Sequence, residues 1–89
     1  MFDTNTRTMM AAMFSGGIVT EIAGVFSDRL GDDHRWEIRY YPEGRYNPEA
    51  YYTGTVSTYY DMYEADTLDE VLDLMEAWVA PTLKEAVTA

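Results

Sequence analysis

The feature that most constrains this chain is a capped amphipathic helix from about Thr67 to Ala80. Thr67-Leu68-Asp69-Glu70 has the S/T-x-x-E pattern, in which the hydroxyl accepts the amide three residues on while the carboxylate reaches back to the cap. Leu68, Val71, Leu72, Met75, Trp78 and Val79 then recur at i, i+3, i+4, i+7, i+10 and i+11. At about 100° per residue they form one apolar stripe, and Asp69, Asp73 and Glu76 gather on the opposite side with Glu70 nearby. Such a helix buries its stripe only against a second layer. Pro81 ends it or starts a last short turn containing Leu83 and Val87.

The second layer is legible as strands. Trp36, Ile38 and Tyr40 alternate with Arg35, Glu37 and Arg39, the pattern of a half-buried strand over residues 34–41. Pro42-Glu43-Gly44 and Asn47-Pro48 supply a loop of about six to eight residues. Residues 50–65 are rich in Tyr, Thr and Val and read as one long bent strand or two shorter ones. Gly54 marks a bulge or a turn there, and Val56-Ser57 is a second break point.

Ahead of these, Asp3 or Thr4 caps a first helix carrying Met9, Met10, Met13 and Phe14 on one side. Ser15-Gly16-Gly17 interrupts or kinks it. Ile18, Val19, Ile22, Val25, Phe26 and Leu30 continue a helical stripe, with Gly31 as its stop and Asp32-Asp33 as a turn. The expected fold is α+β: an N-terminal helix or kinked helix pair, a small antiparallel sheet of two to three strands, and a C-terminal amphipathic helix packed on one face.

Eighty-nine residues make a single domain, and apolar residues at 47% supply enough core for it to fold. Cysteine is absent, which removes disulfides and thiolate chemistry and fits a reducing cytoplasm. The uncharged stretch from Thr8 to Thr20 is broken by glycines and too short to span a bilayer. It mimics a signal h-region but has no small-residue cleavage site, so it reads as a helix of the mature protein. The formal net charge is −10, which repels free nucleic acid and anionic membranes. Residues 46–83 hold eight of the acids and no base, which makes this half the docking place for a cationic partner.

No catalytic set emerges, and neither cofactor nor metal is expected. His34 is the one histidine and reads as a turn or edge residue, although a centre built on His34, Asp32 and Asp33 is the enzyme or metal alternative. A Ca²⁺ loop starting at Asp61 fails, because Tyr63 and Asp66 stand where an oxygen ligand and a glycine belong. Ser15-Gly16-Gly17 has neither the spacing nor the lysine of a phosphate loop. Eight tyrosines exceed what one face of a small sheet can bury, and tyrosine suits interfaces through its stiff ring and polar tip. The candidate partner-binding residues are therefore Tyr59, Tyr60, Asp61, Tyr63, Glu64, Asp66, Asp69, Glu70, Asp73 and Glu76.

In small size, acidity, lack of cysteine and want of a catalytic set, the whole chain resembles phage-encoded anti-defence proteins, including anti-CRISPR proteins and DNA mimics. The resemblance is one of general character. It implies a non-enzymatic inhibitor whose carboxylates stand in for phosphates on the basic groove of a CRISPR-Cas or other nucleic-acid-binding complex. The alternative is a homo-oligomeric assembly protein, a homodimer for instance, with Met9, Met10, Met13, Phe14 and the tyrosine sheet at its interface.

Overall fold

The computed structural model describes residues 2–56 and 62–80. Helix α1 (Thr4–Ser15) is followed by strands β1 (Glu21–Ser27), β2 (Asp33–Tyr41), β3 (Tyr51–Val56) and β4 (Met62–Ala65), then by helix α2 (Leu68–Val79). The strands form one antiparallel sheet in the order β1-β2-β3-β4. The class is α+β as expected, with four strands in place of two to three.

The largest departure lies between Ile18 and Leu30, where a strand replaces the expected second helix and no kinked pair exists. Ile22, Val25 and Phe26 satisfy a helical period, but the fold selects alternation: Ile22, Gly24 and Phe26 face inward, and Glu21, Ala23, Val25 and Ser27 face outward. Gly24 hides that alternation by carrying no side chain at an inward position. Its bareness is required, because a Cβ there would stand 2.4 Å from the Trp36 ring. Gly31, at φ 91°, turns the β1–β2 hairpin instead of stopping a helix.

Helix α1 starts as expected, with the Asp3 carboxylate accepting the Thr6 amide at 2.8 Å. It ends at Ser15 and is not kinked; Gly17 takes φ 79° and donates to the Phe14 carbonyl. Helix α2 matches its expectation closely: Thr67 caps it, its Oγ1 accepting the Glu70 amide at 3.2 Å, and Leu68, Val71, Leu72, Met75 and Val79 are buried. Pro81, Leu83 and Val87, assigned above to the helix stop and a last turn, lie outside the described residues.

Register fixes the two faces of the sheet. The inner face carries Ile22 and Phe26, then Trp36, Ile38 and Tyr40, then Tyr52, Gly54 and Val56, then Tyr63 and Ala65. Both helices lie against it. Gly54 is neither bulge nor turn: it pairs with Ile38 and Tyr63 in mid-sheet. Helix α2 sits directly over it, with Met75 Sδ 2.5 Å from where a Cβ would be. Helix α1 is held by Phe2, edge-on to Trp36 at 5.1 Å, and by Phe14, whose ring meets those of Tyr40 and Tyr52. On the outer face Glu21 pairs with Arg39 and Glu37 with Arg35, and Thr53 is buried among its neighbours.

Candidate functional site

The acids singled out in the sequence divide into two sets. On α2, Asp69, Asp73 and Glu76 do share a side, but that side faces α1. Arg7 crosses from α1 to meet all three: Nη1 to Asp69 at 3.2 Å, Nη2 to Asp73 at 2.8 Å and to Glu76 at 3.5 Å. Its Nε donates to the Phe2 carbonyl at 2.8 Å, and the Phe2 amide donates to Glu76 Oε1. Partial burial works against the guanidinium charge, yet the hydrogen bonds to Asp73 and Asp69 hold its pKa above the ordinary arginine value. These carboxylates therefore clamp the N-terminal helix to the C-terminal one. The charge pattern of the C-terminal half could not show this, because the cation lies 62 residues away in the chain.

The second set is Glu64, Asp66 and Glu70. Glu64 projects from the outer face of β4 and Asp66 from the turn after it. Together with Glu49 of the β2–β3 loop they line a shallow hollow of about 230 Å³ shared with Asn47, Pro48, Ala50 and Tyr51. No described cation stands within ion-pair distance of Glu49, Glu64 or Asp66. Glu70 is exposed on the far side of α2, beside Asp73, Leu74 and Ala77. Glu49 and Tyr51 were missed in the sequence-based set. Their one signal was Glu49's place in the base-free half, since the loop's path over the sheet is not encoded locally.

The tyrosines separate by parity. Tyr40 and Tyr52 face the core, and burial followed by the nearby Tyr40 raises the Tyr52 phenol above its ordinary pKa. Tyr63 is likewise half-buried against the core and points away from Glu64. Tyr41 and Tyr51 stack on the outer face, centroids 4.7 Å apart and planes within 10°. Tyr51 thus joins the acidic hollow, while Tyr59, Tyr60 and Asp61 lie outside the described residues. Of the expected oligomer interface, Met10 and Phe14 are core residues at 5% and 2% exposure; Met9 and Met13 stay exposed.

His34 stacks on Phe26 and bonds the Asp28 carboxylate through Nε2 at 2.8 Å, not Asp32 or Asp33. Asp28 also accepts the amides of Leu30 and Asp32, so it organises the β1–β2 turn. His34, Asp32 and Asp33 do not converge on a common centre. Among the described residues no group of three His, Cys, Asp or Glu side chains could hold a metal ion. No helix there is long and apolar enough to cross a membrane.

Fold and surface together define an α+β protein with both helices on one face of a four-stranded meander and an acidic flank at the β4 side. The chain matches no protein-family model, no curated protein and no solved structure.

Proposed function

We propose that the chain is a non-enzymatic interaction protein that docks its acidic, tyrosine-bearing flank onto a basic, nucleic-acid-binding groove. The target is a cytoplasmic defence complex or another DNA- or RNA-handling protein, inhibited as an anti-CRISPR protein would inhibit it. The observation that carries this reading is the hollow at Glu49, Glu64 and Asp66. Three carboxylates from the loop, β4 and the following turn lie together beside the Tyr51 ring, with no described cation to neutralise them. In a chain of net charge −10, such a flank steers a cationic groove into encounter and occupies the place of phosphates without turnover. Tyr51 adds stiff contact area at its margin.

Arg7 engages three of the acids on α2, which favours the others as the docking set on this reading. Asp69, Asp73 and Glu76 serve the α1–α2 clamp, so the partner-facing acids are Glu64, Asp66, Glu49 and, round the helix, Glu70. The test is binding of immobilised chain to purified CRISPR-Cas effector complexes and to a host lysate. Retained protein should be released by salt and by duplex DNA, and E49K/E64K/D66K should retain none while melting like the parent. Retention indifferent to both the triple reversal and the DNA competitor would refute the proposal.

A further inference from the structure

The two edges of the sheet are unlike. β4 is a short strand, Met62–Ala65, set among Glu64, Asp66 and Glu70. β1 is seven residues long, Glu21–Ser27, and has no proline, lysine or inward charge, the devices that commonly blunt an edge. The Thr20 carbonyl accepts the Tyr40 amide at 2.9 Å, and the Asp28 amide donates to the Asp32 carbonyl at 2.9 Å. In an antiparallel ladder the hydrogen-bonded pairs alternate, so the even-numbered residues of β1 address β2. Glu21, Ala23, Val25 and Ser27 consequently hold their amides and carbonyls at the free edge. Val25 is 63% exposed, and Ile18 and Leu30, just beyond the two ends of the strand, are 90% and 83% exposed.

We propose that β1 pairs with β1 of a second copy, antiparallel, about a two-fold axis through Gly24, joining two four-stranded sheets into one. Directly opposed residues in such a pair share a face, which restricts the axis to a residue position. Centring on Gly24 sets Ile22 of each copy opposite Phe26 of the other on the inner face. Ala23 meets Val25 on the outer face, and Glu21, the strand's one charge, meets Ser27. Centring on Ala23 would put Glu21 against Val25, and centring on Val25 would put Ile22 against Asp28. The strand is self-complementary in one register.

Charge favours the same edge. Around β1 and β2, Glu21, Asp28, Asp32, Asp33 and Glu37 are set against Arg29, Arg35 and Arg39, whereas residues 46–80 contain no base. Glu21 and Glu37 are also paired with arginines on the outer face. Here two copies of a strongly acidic chain can approach each other. Gly24 suits the axis, a non-hydrogen-bonded pair where the strands come within about 4.5 Å. The Trp36 ring already lies across it, so the two indoles become neighbours over the paired glycines. A closed two-fold pair uses up the β1 edge of both copies, and the acidic β4 edges stop further growth.

The test uses the full chain in sedimentation and amide exchange from low micromolar to millimolar concentration. The expected mass rises to twice 10.2 kDa. The amides of Ala23 and Val25 should become protected by an order of magnitude or more with concentration, while that of Gly24, bonded within the copy, changes little. Val25→Lys, and independently Val25→Pro, which removes only a free-edge amide, should return the chain to monomer with its circular dichroism retained. Met9→Lys with Met13→Lys should leave the dimer intact. A monomer at the highest concentration overturns the proposal. So does a dimer that survives both Val25 variants, or one that dissociates with the methionine pair.

Discussion

Replacing Arg7 by methionine tests the clamp between the helices while keeping the aliphatic stem that packs beneath it. The Arg7 side chain is 20% exposed, and those of its partners Asp69, Asp73 and Glu76 are 76%, 70% and 32% exposed. Exposed ion pairs are worth about 0.2–1 kcal/mol each, and Asp69 and Asp73 belong at the low end of that range. The bond to the Phe2 carbonyl and the pairing with the more sheltered Glu76 are charge-assisted and contribute about 1.5 kcal/mol together. The variant should therefore lose about 2 kcal/mol, which for a domain of this size lowers Tm by roughly 8–16 °C. The assay is urea and thermal unfolding followed by circular dichroism at low and high salt. The deficit should shrink as salt rises, because the Asp69 and Asp73 carboxylates, no longer bridged by Arg7, repel each other through solvent. Arg7→Lys should recover part of the loss, since one ammonium cannot reach three acceptors. A stability unchanged at low salt, or a deficit insensitive to salt, would show that α1 is held by Phe2, Met10 and Phe14 alone.

Gly54→Ala should cost about 1–3 kcal/mol by overpacking, since its Cβ meets Met75 Sδ at 2.5 Å and the stiff Val71 at 3.0 Å. Adding Met75→Ala in the same chain should give a loss smaller than the sum of the two, read from denaturant midpoints. Thr67→Ala removes the α2 cap and should cost about 1 kcal/mol by the same measurement. Asp28 is held below the ordinary carboxylate range, first by its bond to His34 and then by the amides of Asp32 and Leu30. A depressed carboxyl contributes stability above its unfolded value of about 3.9 and loses it as pH falls through the folded value. Unfolding midpoints should accordingly drop in that acid window, and Asp28→Asn should make the drop shallower.

What could be read from the chain follows the range of the interactions involved. The α2 cap and stripe lie within one turn of each other, and the β2 alternation is carried by large side chains at every inward position, so both were legible. β1 was not. Its middle inward position is a glycine whose purpose is to admit Trp36, twelve residues on and in another strand, and the remaining apolar residues fit either period. Gly54 misled in the same way, since the side chains that require it bare come from α2. The acidic site suffered from distance too. A common helix side for Asp69, Asp73 and Glu76 follows from spacing alone, but its use as the seat of Arg7 depends on where α1 docks.

Division of the acids into a clamp and a flank has a consequence for how the two proposed contacts respond to salt. Docking of Glu49, Glu64 and Asp66 on a basic groove is an attraction between opposite charges, so added salt weakens it. The β1 pairing brings together two chains of net charge −10 through backbone bonds and apolar contacts, so added salt screens their mutual repulsion and strengthens it. One salt series on the same sample should therefore move the two equilibria in opposite directions. Partner binding that strengthened with salt would place the contact at the β1 edge, and a dimer that weakened with salt would place it among the charged pairs of the outer face.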